Sequence, residues 1–132
     1  MSSGFKLIKY LNEYETIGFE TEPCISFLKN KYPDRKWINS CEKSKSFNYN
    51  INDITYDIVI CCDVIEHILD PNELIAFLKY FYSKYFLIST SCRKKLVEMK
   101  KRTNNGPPEL VYHVREWTYE EFKLYLKNIS IS

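Results

Sequence analysis

Residues 56–78 read YDIVICCDVIEHILDPNELIAFL. The apolar run Ile58-Val59-Ile60 is too short for a free helix and ends in small and acidic residues, Cys61, Cys62 and Asp63. A helix start follows at Asp70-Pro71-Asn72-Glu73. A strand carrying polar groups at its C-terminal end, followed by a crossover helix, is how open α/β sheets build ligand sites. The unbroken apolarity of Ile58–Cys62 predicts a strand buried on both faces, because an alternating pattern is the mark of a sheet with one wet face. Asp70 as N-cap, Pro71 at N1 and Glu73 at N3 give a capping-box arrangement for a helix from Pro71 to about Ser83. Its inner stripe is Leu74, Phe77, Leu78, Phe81 and Tyr82. Tyr85–Thr90 (YFLIST) is a second apolar strand ending in small polar residues, which completes a β–α–β unit.

Upstream, Ser2–Asn12 places Phe5, Ile8 and Leu11 on one helical face, with Leu7 alongside. Glu15–Glu20 (ETIGFE) has the pattern of a short strand ending in an acidic residue. Pro23 opens a helix through about Tyr32, with Ile25, Phe27 and Leu28 inward, and Lys36–Asn39 (KWIN) is an edge strand. Ser40–Thr55 is rich in Asn, Ser and Lys and is expected to be mostly loop. Downstream, Arg93–Asn105 is a basic helix or a loop, either of which Asn104-Asn105-Gly106-Pro107-Pro108 must break. Its six cations fit either a solvated face or an electrostatic contact for an anionic substrate. Leu110–Val114 is expected as a short strand or extended arm. Thr118 caps a last helix with Glu121 at N3 and with Phe122, Leu124, Tyr125 and Leu126 on its apolar side.

Composition narrows the class. The chain has 132 residues, a single domain at this length, and 45% apolar content suffices for a packed core. A net charge of +2 gives no argument for a nucleic-acid partner. Five cysteines without a CxxC pair, two of them adjacent in an apolar run, are expected as reduced, buried thiols rather than as a disulfide framework or structural zinc site. With no signal peptide and no membrane-length apolar segment, the expectation is a cytoplasmic protein without membrane insertion. Three widely separated glycines, Gly4, Gly18 and Gly106, leave no glycine-rich nucleotide loop.

Three segments together resemble the class I S-adenosylmethionine-dependent methyltransferases. YDIVICCDVIEHILDP resembles the fourth-strand segment, TIGFETEPCISFLKNKYPDRKWI the second strand, helix and third strand, and GPPELVYHVREWTYEEFKLYL a later Pro-Pro…His-Val-Arg-Glu-Trp-Thr segment. The resemblance implies an α/β fold, a Rossmann-like methyltransferase sheet, truncated or rearranged, with helices on both faces. It implies a chain that begins just past the family's first strand and cofactor loop and stops before its closing strands. In the family's sheet that first strand is central. A homo-oligomer, or a partner chain completing the sheet, is therefore expected to cover the unpaired edges.

The same resemblance assigns the site residues. Glu20 corresponds to the acidic residue that binds the cofactor's ribose hydroxyls, and Gly4 to the last small residue of the cofactor loop. Asp63 and Val64 fall where family members hold the cofactor, with Glu66 and His67 as the catalytic pair. His67 suits a general base because an imidazole titrates near neutrality. The structural alternatives are a strand-end acid for Glu20, a carboxylate capping local amides or pairing with Arg115 for Glu66, and a helix-start histidine for His67. His113, Arg115, Glu116 and Trp117 are expected as a structural latch over the strand ends, with Trp117 as a core anchor. No metal is expected. Asp63, Glu66, His67 and His113 nonetheless make an oxygen/nitrogen set suited to Mg, Mn or Zn, similar to the Glu-x-x-Glu-His plus later His pattern of metal-dependent small-RNA 2′-O-methyltransferases and some quinone-pathway O-methyltransferases, with Asp63 in place of the first Glu. Two functions lead, transfer of a methyl group from S-adenosylmethionine to a small-molecule or macromolecular acceptor, or a catalytically inactive methyltransferase-like module that binds a partner, with a nucleotide-binding regulator as a third reading. The absent glycine loop separates them and implies weak or no cofactor binding.

Overall fold

A computed structural model of the chain describes residues 7–40, 55–103 and 106–129. Gly4, residues 2–6 of the expected first helix and most of the polar segment after Asn39 lie outside the described residues. The chain divides into two compact units, Met1–Ile54 and Thr55–Ser132. Among the described residues the strands form two separate two-stranded parallel sheets, one in each unit, so the architecture is mixed α/β.

In the first unit β1 (Ile17–Glu20), α1 (Cys24–Lys31) and β2 (Lys36–Asn39) make a β–α–β unit in parallel register, Ile17 opposite Lys36 and Glu20 opposite Asn39. Helix α1 follows Pro23 and stops before Pro33, whose ring cannot continue a helix. Ile25 and Leu28, three apart, are its buried residues. Phe27 departs from the expected inward stripe and is 52% exposed, because it sits two positions from Ile25 and hence well round the helix. Its ring instead meets the Lys31 ammonium at 5.7 Å. The Arg35 guanidinium gathers the chain before β1 by donating to Thr16 Oγ1 (2.9 Å), the Leu11 carbonyl (2.8 Å) and Asn12 Oδ1 (3.2 Å).

Gly18 is required by β2. Trp37, its register partner, donates from Nε1 to the Tyr32 carbonyl (3.1 Å), and its ring lies where a Cβ on residue 18 would stand, 2.3 Å away.

The second unit is built on β3 (Tyr56–Cys62), α2 (Pro71–Lys79) and β4 (Ser83–Ser89), with β3 and β4 parallel and Val59 opposite Phe86, Cys61 opposite Ile88. A 3-10 turn (Ile65–His67) follows β3, and α3 (Arg93–Glu98) and α4 (Tyr119–Asn128) complete the unit. Asp70 caps α2 by accepting from the Asn72 amide (2.9 Å), the N2 position rather than the N3 of a capping box. The box forms instead on α4. There Thr118 Oγ1 accepts from the Glu121 amide (3.2 Å) and the Glu121 carboxylate accepts from the Thr118 amide (2.8 Å). Helix α2 ends at Lys79, short of the expected Ser83. Phe81 leaves the helical path and packs its ring edge-on against Phe77 and Tyr56, while Tyr82 is exposed.

The core is Cys61, Ile65, Leu74, Ile75 and Leu78, with Val59, Phe86, Ile88, Phe122, Tyr125 and Leu126 packed against it. All the strand residues in this cluster come from one face of the β3–β4 sheet. Among the described residues of this unit, the expected burial of β3 on its other face is not seen. Ile58 is 47% and Leu87 50% exposed on the other face, with Tyr85 exposed beside them. The core-forming helices α2 and α4 both lie against the Val59–Cys61 side. Leu124 is likewise exposed, since Phe122, Tyr125 and Leu126 supply the buried stripe of α4. Leu110–Val114 forms a turn rather than a strand.

A Gly18→Ala substitution forces the Trp37 ring off β1 and is expected to cost about 1–3 kcal/mol, read as a lower urea midpoint by tryptophan fluorescence. An unchanged midpoint would show that the ring repacks freely.

Candidate functional site

The polar ends of β3 and β4 are the part of the second unit where the chain folds charged groups inward. Asp63 leaves β3 with φ 54°, in the left-handed region. Aspartate tolerates that conformation better than most residues because its short side chain bonds locally. Its amide donates to the Ser89 carbonyl (3.1 Å) and its carboxylate accepts from the Ser89 hydroxyl (3.2 Å), so the turn is fastened to the end of β4. Val64 then leads into the 3-10 turn, where Ile65 is fully buried in the core.

Burying Ile65 carries its neighbour in with it. Glu66 is 1% exposed, and each carboxylate oxygen accepts one hydroxyl: Oε2 from Thr90 Oγ1 (3.1 Å) and Oε1 from Ser91 Oγ (3.2 Å). Its backbone carbonyl accepts from the amides of Val114 (2.7 Å) and Arg115 (3.4 Å). The expected alternative of a Glu66–Arg115 side-chain pair is not what forms. The Arg115 guanidinium donates to the Leu69 carbonyl (3.1 Å) and lies 5.4 Å from the Trp117 ring centre.

His67 and His113 meet over this carboxylate with ring centres 4.9 Å apart and planes at 76°. His67 Nδ1 is 2.7 Å from the Tyr112 carbonyl, which only accepts, so Nδ1 carries a proton and in the neutral ring Nε2 is the acceptor. His113 Nδ1 is 2.8 Å from Glu116 Oε1, and the same reasoning leaves its Nε2 unprotonated in the neutral ring. Burial, then the neighbouring His67, hold the His113 pKa below its ordinary value against the opposing pull of Glu66 and Asp63, which favours that neutral form. One ligand atom each from Glu66, His67 and His113 lie within 4.8 Å of one another. Asp63, the fourth member of the expected oxygen/nitrogen set, stands outside this group with its carboxylate turned to Ser89.

A strap running from Arg102 to Trp117 supplies half of the cluster. Arg102 and Glu116 form a buried ion pair, and Arg102 also donates to the carbonyls of Gly106 and Pro107. Thr103 donates from its amide to Glu109 Oε1 (3.0 Å), closing the intervening loop. The far end of the strap is fixed where the Arg93 amide donates to the Trp117 carbonyl (2.8 Å), beside an isolated bridge between Cys92 and Trp117. The expectation of a latch over the strand ends therefore matches the backbone, while His113 and Glu116 are part of the polar cluster itself. Trp117 is half-buried against Phe122 and Tyr125.

Sequence reading missed Thr90, Ser91, Arg102 and Glu116 as site residues. The small polar end of β4 carried a signal for the first two, and the His113-x-x-Glu116 spacing for the last. Arg102 is indistinguishable by sequence from its basic neighbours. In the first unit, Glu20 closes β1 with Oε2 accepting from the Thr21 amide (3.2 Å), and Gly4 lies outside the described residues. Among the described residues no helix is long and apolar enough to cross a membrane.

No protein-family model, no curated protein and no solved structure matches this chain. The likeness to methyltransferases therefore rests on the three sequence segments alone.

Cys61 tests how closed the floor beneath the cluster is. Burial, with Cys62 and Glu66 adding to it, pushes its thiol up to about 12, so at pH 8 it is a neutral thiol shielded from reagent. Iodoacetamide on the folded chain at pH 8 is expected to leave Cys61 unmodified by mass spectrometry while it reacts in urea. Rapid native labelling of Cys61 would contradict the packing described.

Proposed function

We propose that this chain is an S-adenosylmethionine-dependent methyltransferase, or a fragment of one, acting on an acceptor whose identity the residues do not specify. The observation that carries the reading is the β3–α2–β4 unit. Its parallel strands end in a left-handed Asp63 and a buried, hydroxyl-held Glu66, the place where open α/β sheets put ligands. Two of the three segments of the resemblance fall in the second unit, with DVIEH at the end of β3 and HVREWT at the end of the strap, and the third spans β1, α1 and β2 of the first.

In this reading the cofactor supplies an electrophilic methyl group, so the protein's work is to orient the reactants and exclude water. His67 is the proton acceptor for the attacking nucleophile through Nε2, with the Tyr112 carbonyl fixing the ring by its bond to Nδ1. Glu66 holds the turn that carries His67. By the resemblance, Asp63 and Val64 would line the cofactor side of the second unit, and the acceptor role for ribose hydroxyls that the resemblance gives Glu20 belongs to the first unit taken by itself. The second reading, an inactive module that binds a partner chain, is favoured by the apolar, half-exposed face of β3 and β4 around Ile58, Tyr85 and Leu87.

Calorimetry with S-adenosylhomocysteine separates the two. The methyltransferase reading expects binding weaker than about 10 μM but measurable below about 1 mM, reduced further by Glu20→Ala. A folded chain with no heat at millimolar ligand would leave the partner-binding module.

A further inference from the structure

We propose that the first unit carries a ligand site of its own, a cleft for a small dianionic molecule, a phosphate monoester or a dicarboxylate. It does not depend on the methyltransferase reading. The cleft has a volume of about 380 Å3. Its walls are Asn12 and Tyr14 on one side and Lys31, Tyr32, Asp34 and Arg35 on the other. Ligand pockets span about 300–1,000 Å3, so this one suits a molecule at the small end.

The topology fixes its place. Asn12 and Tyr14 precede β1 and the turn of Tyr32 to Arg35 precedes β2. Because β1 and β2 are parallel, both walls stand at the N-terminal ends of the strands. Glu20 and Asn39 close the opposite ends. The cleft is therefore separate from the position that the resemblance gives to the cofactor ribose.

Its chemistry is that of a donor-rich wall. Lys31 and Arg35 are cations, Asn12 is an amide, and Tyr14 and Tyr32 are phenols, while Asp34 is the one acid among the lining residues. Glu13 and Glu15, on either side of Tyr14, do not line it. Asn12 spends its Oδ1 on Arg35, so what it brings to the cleft is its Nδ2 donor. A guanidinium has five N–H donors, and Arg35 places three of them, on Thr16 Oγ1, the Leu11 carbonyl and Asn12 Oδ1. A wall that offers donors and two cations complements phosphate and carboxylate oxygens.

The walls are also set before any ligand arrives. Arg35 ties one to the other through those three bonds, and its amide donates to the Tyr32 carbonyl (3.2 Å). The Tyr32 amide donates to the Leu28 carbonyl (2.8 Å) and the Tyr14 amide to the Leu11 carbonyl (3.2 Å). The Lys31 ammonium rests 5.9 Å from the Tyr32 ring centre. Binding to such a frame orders few new groups. Asp34 and the partial negative charge at the end of α1, about half a charge, work against an anion. Two whole positive charges exceed them, and a dianion gains more from that surplus than a monoanion does.

The test is a titration of the folded chain with glycerol 3-phosphate at low ionic strength, read by the amide 1H–15N shifts of Tyr14, Tyr32 and Arg35. Succinate and uncharged glycerol are titrated beside it. Expected are saturable shifts at these amides with a midpoint of about 1 mM or below, weakening as salt is added, and none with glycerol. Saturation by succinate alone would support the site and make the ligand a dicarboxylate. Lys31→Gln, an exposed position, should leave the circular dichroism unchanged and weaken binding by about 3–10-fold. Excess S-adenosylhomocysteine should leave the titration unaltered, whether or not it binds elsewhere. The proposal is overturned if neither dianion saturates by about 10 mM, if glycerol acts equally, or if Lys31→Gln binds as the unsubstituted chain does. Shifts centred outside the cleft, or competition by S-adenosylhomocysteine, would overturn it too.

Discussion

Glu66 joins three parts of the second unit through one residue. Its carboxylate takes the hydroxyls at the end of β4, its carbonyl takes the amides of the strap, and its neighbour Ile65 is fully inside the core. Burying a carboxylate is tolerable only where hydrogen bonds replace water, and the two hydroxyls of Thr90 and Ser91 do that. Removing the acid would leave those hydroxyls facing each other without an acceptor. Removing the hydroxyls would leave a buried charge. The position of His67 and the seat of the strap both follow from this residue, which makes it the constraint on which the polar cluster depends.

The strap is held by a different kind of contact. Arg102 and Glu116 are buried together, and such a pair stabilises little over an apolar replacement, yet is costly to break one-sidedly. What it provides here is orientation. Glu116 is fixed by Arg102 on one oxygen and accepts from His113 on the other, so the imidazole is held in one orientation beside Glu66 and His67. The chain thus combines a rigid floor, made by Ile65 and Cys61 in the core, with a polar wall carried on a loop. Loops positioned by a scaffold are where ligand-contacting residues are most often found.

Much of this was legible before any coordinates. The Asp70-Pro71 helix start, the KWIN strand and the Thr118–Glu121 capping box are local signals, fixed by residues within a turn of one another, and they hold. The failures are where distant packing decides. An unbroken apolar run cannot reveal that both core helices choose one face of β3, nor that Phe81 leaves α2 to pack on Tyr56. Glu66, His67 and His113 were each singled out, but the partners that give them a common geometry, Thr90, Ser91, Arg102 and Glu116, come from three separate stretches. Nothing in their spacing announces that they meet. The exclusion of Asp63 from the cluster is likewise a matter of one backbone angle, the left-handed turn that aims its carboxylate at Ser89.

The central claim is that a buried hub and its strap hold both imidazoles by their Nδ1 atoms, His67 on the Tyr112 carbonyl and His113 on the Glu116 carboxylate. Long-range 1H–15N correlation spectra of the chelator-treated chain at neutral pH read the tautomers directly. In their neutral rings both His67 and His113 are expected to carry the proton at Nδ1, with His113 losing that preference in Glu116→Gln. Finding either ring in the Nε2–H form in the unsubstituted chain would contradict it.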